Sequence, residues 1–133
     1  MAILVTGGLG YIGSHASVEL LRSGSRVVIL DNLSNSKRSV VDRISELAGA
    51  PIDLVVGDLR DSAALDRIFG EQTIEAVVHF AGLKAVAESV RDPLRYFHNN
   101  VGGTLSLLEA MSRHGVGRSI FSSSATFYGL AGA

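Results

Sequence analysis

The sequence predicts a doubly wound parallel α/β sheet, and three observations carry that expectation. Five short apolar runs recur along the 133 residues, stretches with helical spacing separate them, and a glycine-rich loop joins the first run to the first helix. Strands buried on both faces of a parallel sheet read as near-continuous Val- and Ile-rich runs rather than as an alternation. Parallel neighbours need crossover connections, which are right-handed and usually helical. The expected architecture is therefore about five strands and four helices, in order βαβαβαβαβ, within one domain over residues 1–133.

The elements follow in order. The expected strands are "AILVT" (2–6), "RVVIL" (26–30), "IDLVV" (52–56), "EAVVHF" (75–80) and "RSIFS" (118–122). The first helix covers 12–22, with Ile12, Ala16, Leu20 and Leu21 expected on its apolar face. Val40, Val41, Ile44, Leu47 and Ala48 mark a second helix, and Leu65, Ile68 and Phe69 a shorter third. The fourth is the longest: Asp92 suits its cap, Pro93 its first position, and Gly115 or Gly117 its end. Leu94, Phe97, Val101, Leu105, Leu108 and Met111 recur along it at steps of three or four. "HNN" (98–100) interrupts this helix with residues of modest propensity, which suggests a local task for Asn99.

Composition narrows the function classes. A hydrophobic fraction of 47% and a charged fraction of 19% fit a globular domain. A net charge of −1 supplies no basic field for nucleic acid or anionic lipid. Apolar runs as short as Val27 to Leu30 do not make a membrane span, and "MAILVTGGLG" lacks the charged start and long apolar stretch of a secretory signal. Cysteine is absent, so neither disulfides nor a thiolate metal site can form; a reducing cytoplasm is the expected location. The four histidines (15, 79, 98 and 114) do not cluster, and no metal is expected.

The loop "LVTGGLGYIGSH" carries the chemistry. It reads either as Gly8-x-Gly10-x-x-Gly13 or as Gly7-x-x-Gly10-x-x-Gly13, placed between the first strand and the first helix as a dinucleotide-binding loop requires. Gly7 or Gly8 supplies the tight turn, Gly10 lets backbone approach a pyrophosphate, and Gly13 lets the helix pack on the sheet. Amides at the helix start then face the anion. Asp31 ends the second strand eighteen residues beyond Gly13, where a carboxylate can accept from the ribose hydroxyls of NAD and repel a 2′-phosphate. Lys37 and Arg38 nearby argue the other way, and a strand-end carboxylate can also be a turn former or cap. "GDLRD" places Asp58 within reach of an adenine amino group, with Asp61 as a helix cap. At the fourth strand's end Ala81 and Gly82 leave room for a cofactor, and Lys84 is either a phosphate contact or a solvated lysine.

Together "VTGGLGYIGSH", "LDNLSNSKRSV", "GDLRD", "HFAGLKAVAESV", "NNVGGTLSLLEAM" and "FSSSATFYG" resemble the extended short-chain dehydrogenase/reductase family. Within it they resemble the branch of 4-epimerases that interconvert UDP-glucose and UDP-galactose through transient oxidation at C4. The resemblance implies a Rossmann-like NAD-binding domain in which Gly7, Gly10, Tyr11, Ile12 and Gly13 hold the pyrophosphate. Asp31, Asn32, Asn35 and Ser36 take the adenosine side, Asp58 and Leu59 surround the adenine, and Phe80, Ala81, Gly82 and Lys84 line the middle. Asn99 sits near the nicotinamide, and Ser124 hydrogen-bonds the reacting sugar oxygen of a UDP-sugar substrate. Where dehydratases and decarboxylases of the family carry acidic residues, this chain has Ala125, Thr126 and Phe127.

The resemblance also sets an expectation of what these residues lack. The family's base belongs to a Tyr-x-x-x-Lys pair, whereas Tyr11, Tyr96 and Tyr128 are followed four residues on by His15, Asn100 and Gly132. The chain is thus expected to be the N-terminal portion of such an enzyme, without its C-terminal substrate domain and inactive alone, and "LAGA" departs from the family pattern. Alternatives are a stand-alone NAD-binding module without enzymatic activity, or a fragment of another sugar-nucleotide epimerase or dehydratase. The apolar stripe over 94–111, deprived of its cover, is expected to associate as a homo-oligomer.

Overall fold

The computed structural model describes residues 1–124 and Gly129. The expected features at Ala125, Thr126, Phe127 and Tyr128, and the tail from 130 onward, lie outside the described residues. Five parallel strands form one sheet: β1 (Ala2–Thr6), β2 (Arg26–Asp31), β3 (Asp53–Val56), β4 (Ile74–His79) and β5 (Ser119–Phe121). Their order is β3-β2-β1-β4-β5. The chain therefore winds outward from β1 to β3, crosses back past β1 to β4, and continues to β5. The change of direction falls between β1 and β4, where ligands of open α/β sheets bind beyond the carboxyl ends of the strands.

Side chains on successive strand residues point to opposite faces, and β2 shows why its run is continuously apolar. Val28 and Leu30 face one core, with Ala2, Leu4 and Val77 from neighbouring strands. Val27 and Ile29 face the other, with Val5. The first face is covered by α3 (Ser62–Glu71) through Leu65, Ile68 and Phe69, and by α6 (Gly103–Arg113) through Leu107, Ala110 and Met111. The second is covered by α1 (Tyr11–Arg22) through Val18 and Leu21, and by α2 (Val40–Ala48) through Ile44. Leu4, Ile29, Leu30, Ile44 and Leu65 are fully buried, each worth about 1.5–3 kcal/mol relative to exposure.

Two helix faces depart from the expected ones. On α1 the buried residues are Gly13, Ser17, Val18 and Leu21, and Ile12 is exposed. Small residues bring this helix close to the sheet, and Ser17 is buried because its hydroxyl donates to the Gly13 carbonyl at 2.8 Å. The long helix over 93–113 is continuous but not uniform. A short α5 (Pro93–Tyr96) leads into a π-helical turn (Phe97–Gly102) and then into α6. Asp92 caps it, accepting from the Arg95 amide at 3.2 Å, with Pro93 in its first turn. Its expected apolar stripe faces outward: Leu94, Phe97, Val101, Leu105 and Leu108 are exposed, and of that row Met111 alone is buried. A further short helix, α4 (Val86–Arg91), had no counterpart in the sequence reading and buries no residue.

The contact that positions α1 is between two glycines. Gly7 leaves β1 with φ +66°, and a Cβ there would lie 2.7 Å from the Ala81 amide nitrogen. A Cβ on Gly13 would lie 2.3 Å from the Gly7 carbonyl oxygen. Gly13→Ala should therefore cost about 1–3 kcal/mol through overpacking. Gly70→Ala, in α3 with open space around it, should stabilise by roughly 0.5–1 kcal/mol through helix propensity. Urea midpoints of the two variants check this contrast of sign.

Candidate functional site

At the carboxyl ends of β1, β2 and β4 lies a cleft of about 470 Å³, within the range of small-molecule sites. Its floor is the glycine loop. Gly7, Gly10 and Gly13 line the cleft together with Tyr11 and Ile12. Gly8 does not; a Cβ on it would strike the Ile29 side chain at 2.7 Å, so it serves packing against β2. Of the two spacings the sequence allowed, Gly7-x-x-Gly10-x-x-Gly13 is thus the one that borders the cleft. Gly10 is the N-cap of α1, no side chain caps that helix, and no acidic residue stands in its first turn. The first-turn amides and the positive end of the helix dipole are left for an anion.

Asp31 ties the two sides of the adjoining wall. Its Oδ2 accepts from the Leu9 amide at 3.1 Å, and its Oδ1 from the Leu33 amide at 2.9 Å and the Ser36 hydroxyl at 2.8 Å. The turn-forming role and the ligand role foreseen for this carboxylate are compatible, because a carboxylate offers about four lone-pair sites and these bonds use three. Asn32, Asn35 and Ser36 line the same end, and beside them stands Ser34, which no motif in the sequence singles out. Lys37 and Arg38 are exposed and do not line the cleft.

Asp58 and Leu59 border the cleft beyond β3. The Asp58 carboxylate accepts from Arg60 Nε at 3.0 Å, from Arg60 Nη2 at 2.7 Å and from the Arg60 amide at 2.9 Å. The Arg60 guanidinium holds this carboxyl below the usual carboxylate range, against the opposing effect of burial. Asp61 caps α3 by accepting from the Ala64 amide at 3.2 Å.

The inner wall is formed by Phe80, Ala81, Gly82 and Lys84 after β4, and by Asn99 on the π-helical turn. Asn100, the neighbour of Asn99, ties this turn to the segment after β4. Asn100 accepts from the Leu83 amide at 2.8 Å through Oδ1 and donates to the Leu83 carbonyl at 2.9 Å through Nδ2. Asn99 donates to Asn100 Oδ1 at 3.0 Å. Behind this wall His79 is buried between Thr6 and Thr104. Burial pushes its imidazole below its ordinary value, and the Lys84 charge acts in the same direction. Ser124, three residues past β5, is exposed and does not line the cleft.

The residues fit a dinucleotide: a cradle that a Cβ would fill at Gly13, an uncapped helix start, and a carboxylate with acceptor capacity at the end of β2. Comparisons with known proteins point the same way. A profile described as the NAD dependent epimerase/dehydratase family matches residues 3–133. The UDP-glucose 4-epimerase of Bacillus subtilis is 58% identical over 130 residues, covering 98% of this chain and 38% of the relative. That of Klebsiella pneumoniae is 57% identical over 129 residues, covering 97% of this chain and 93% of the relative. The chain thus spans about two-fifths of the length of the Bacillus subtilis relative. Among solved structures, UDP-glucose-4-epimerase from Stenotrophomonas maltophila with bound NAD and formylated UDP-arabinopyranose superposes with a TM-score of 0.96. It is 50% identical, and the match covers 100% of this chain and 40% of that one. UDP-glucose 4-epimerase from Bifidobacterium longum in complex with NAD+ and UDP gives 0.94, at 47% identity, over 97% of this chain and 38% of that one.

The buried imidazole generates a prediction. Below the unfolded histidine value of about 6.5, the unfolded chain gains a proton that folded His79 resists, so stability falls as pH drops through that window and is retained above it. The slope from this group is at most about 1.4 kcal/mol per pH unit. An NMR titration of the His79 ring should give a midpoint below 6.5.

Proposed function

The chain belongs to the NAD dependent epimerase/dehydratase family, and from that premise we propose that it is the NAD-binding portion of a UDP-glucose 4-epimerase. The observation that carries this reading is the cleft at the β1/β4 switch, where every residue assigned to the cofactor from the sequence is brought to one lining. When bound, NAD supplies a hydride acceptor and donor for C4 of the sugar. The chain's own contribution is binding and orientation. The amides of Tyr11, Ile12 and Gly13 at the start of α1 hold the pyrophosphate, and Gly7 and Gly10 keep the floor low. Asp31 accepts from the adenosine ribose and disfavours a 2′-phosphate; Lys37 and Arg38, outside the lining, do not offset it. Asn32, Asn35, Ser36, Asp58 and Leu59 enclose the adenosine end. Phe80, Ala81, Gly82, Lys84 and Asn99 receive the nicotinamide half.

In the proposed reaction Ser124 hydrogen-bonds the sugar oxygen at C4, donating and accepting in turn. Proton removal needs a tyrosine whose pKa is lowered by a nearby cation, and none of the three tyrosines here has a lysine four residues on. These 133 residues by themselves therefore bind NAD but do not turn over a UDP-sugar. The absence of cysteine favours a reducing cytoplasm, and no helix among the described residues is long and apolar enough to cross a membrane.

We further propose that a second copy of the chain packs on the outward stripe of the long helix. Leu94 and Phe97 are 69% and 64% exposed, and Leu105 is 55% exposed. A contiguous row of this kind marks an association surface.

Denaturing the purified chain and quantifying released NAD(H) tests the proposal: about one equivalent is expected, and none would overturn it. Asp31→Asn should weaken NAD binding about tenfold, the effect of losing a charged acceptor. In a single-turnover assay UDP-glucose should generate no NADH. Sedimentation should show a dimer that Phe97→Glu with Leu105→Glu dissociates; a monomer at all concentrations would refute the shared face.

A further inference from the structure

We infer that His79 and Thr104 are positioning residues, which set the inner wall of the cleft through a hydrogen-bond chain that admits one histidine tautomer. The inference rests on the reading of the cleft as an NAD site for its functional consequence, but not for its geometry. Thr104 Oγ1 lies 2.6 Å from the Asn100 carbonyl oxygen, which can only accept. The Thr104 hydrogen is thereby committed, so toward His79 Nε2, at 3.1 Å, the hydroxyl must accept. Nε2 carries the imidazole hydrogen, and Nδ1 is left as an acceptor. At 2.6 Å from Nδ1 stands Thr6 Oγ1, which must donate. With its hydrogen spent, Thr6 accepts from the Ala81 amide at 3.4 Å.

Every group in this chain donates once, in one direction, from the Ala81 amide through to the Asn100 carbonyl. Thr6 is fully buried and His79 is 5% exposed. The opposite tautomer would set Nε2 against the Thr104 oxygen with no hydrogen between them and take the acceptor from the Thr6 hydroxyl, at the cost of a buried unmade bond. Both ends of the chain reach the same stretch of wall. Thr6 holds Ala81 from behind, and Asn100, whose carbonyl Thr104 fixes, grips Leu83 with its side-chain amide. Neither His79 nor Thr104 lines the cleft. They act by fixing Ala81, Leu83 and the turn that carries Asn99, so that the nicotinamide half meets a wall already in place.

The test uses the full 133-residue chain. In 15N NMR without added cofactor, His79 should show a protonated Nε2 and an unprotonated Nδ1; the reverse tautomer or a mixture overturns the inference. Thr104→Val keeps the shape but removes donor and acceptor, and Thr104→Ser restores both. In Thr104→Val, hydrogen exchange at the Leu83 amide should accelerate at least tenfold and NAD affinity should fall about tenfold, with Thr104→Ser close to wild type in both. A folded Thr104→Val with unchanged Leu83 exchange would overturn the inference. Should Thr104→Val not fold, the wild-type tautomer decides alone. If the wild type binds no NAD while tautomer and Leu83 exchange behave as stated, the positioning stands and the NAD reading fails.

Discussion

The close approach of α1 to the end of β1 is the constraint on which the remaining geometry depends. Gly13 rests against the Gly7 carbonyl at a distance no side chain would tolerate, and Gly7 in turn lies against the Ala81 amide. One contact therefore fixes the height of the helix, the turn out of β1 and the approach of β4. Ser17 reinforces it by satisfying the Gly13 carbonyl from one turn further on. No side chain caps the start of α1, so its first-turn amides are left without an intrahelical partner.

Polar groups then hold the loops that this contact brings together. Asp31 binds the glycine loop at Leu9 to the strand-end loop at Leu33 and Ser36. Asn100 does the same across the cleft for the segment after β4. Both are side chains that accept backbone amides, which is the cheapest way to give irregular backbone a defined path near a site that must stay open to ligand.

Much of this was legible in the residues. The strand runs lie within one or two residues of the observed strands, because a Val- and Ile-rich run buried on both faces leaves little freedom in where it can begin. The glycine-rich turn between β1 and α1, the place of Asp31 at the end of β2 and the Asp92–Pro93 helix start were readable because each is a local requirement of the chain. What was not legible depended on tertiary packing. Periodicity identified α1 but put Ile12 on the buried face, since small residues at Gly13 and Ser17 decided which side met the sheet. It showed the stripe on the long helix without showing that the sheet takes Gly103, Leu107 and Ala110 instead. The short α4 buries no residue and so leaves no apolar signature. The disturbance at "HNN" was visible, but the part Asn100 plays in it required knowing where Leu83 passes. His79 read as one of four scattered histidines because its partners are 73 and 25 residues away.

The π-helical turn over Phe97–Gly102 makes the long helix's response to a lost residue depend on where it is lost. A π turn accommodates one residue more than the α-helical path between the same flanking turns. A one-residue deletion inside it would leave an unbroken helix of ordinary geometry, with the flanking turns keeping their mutual direction. A deletion elsewhere in the helix would turn everything before it by about 100° relative to everything after. After a deletion between Gly103 and Leu107, Leu107, Ala110 and Met111 would remain seated on the sheet, while Asn99 and the row from Leu94 to Val101 swung away from their present directions. Outside the π turn, insertions and deletions in this helix are thus phase changes, felt in the cleft and on the outer face at once, where most substitutions would be felt in one place.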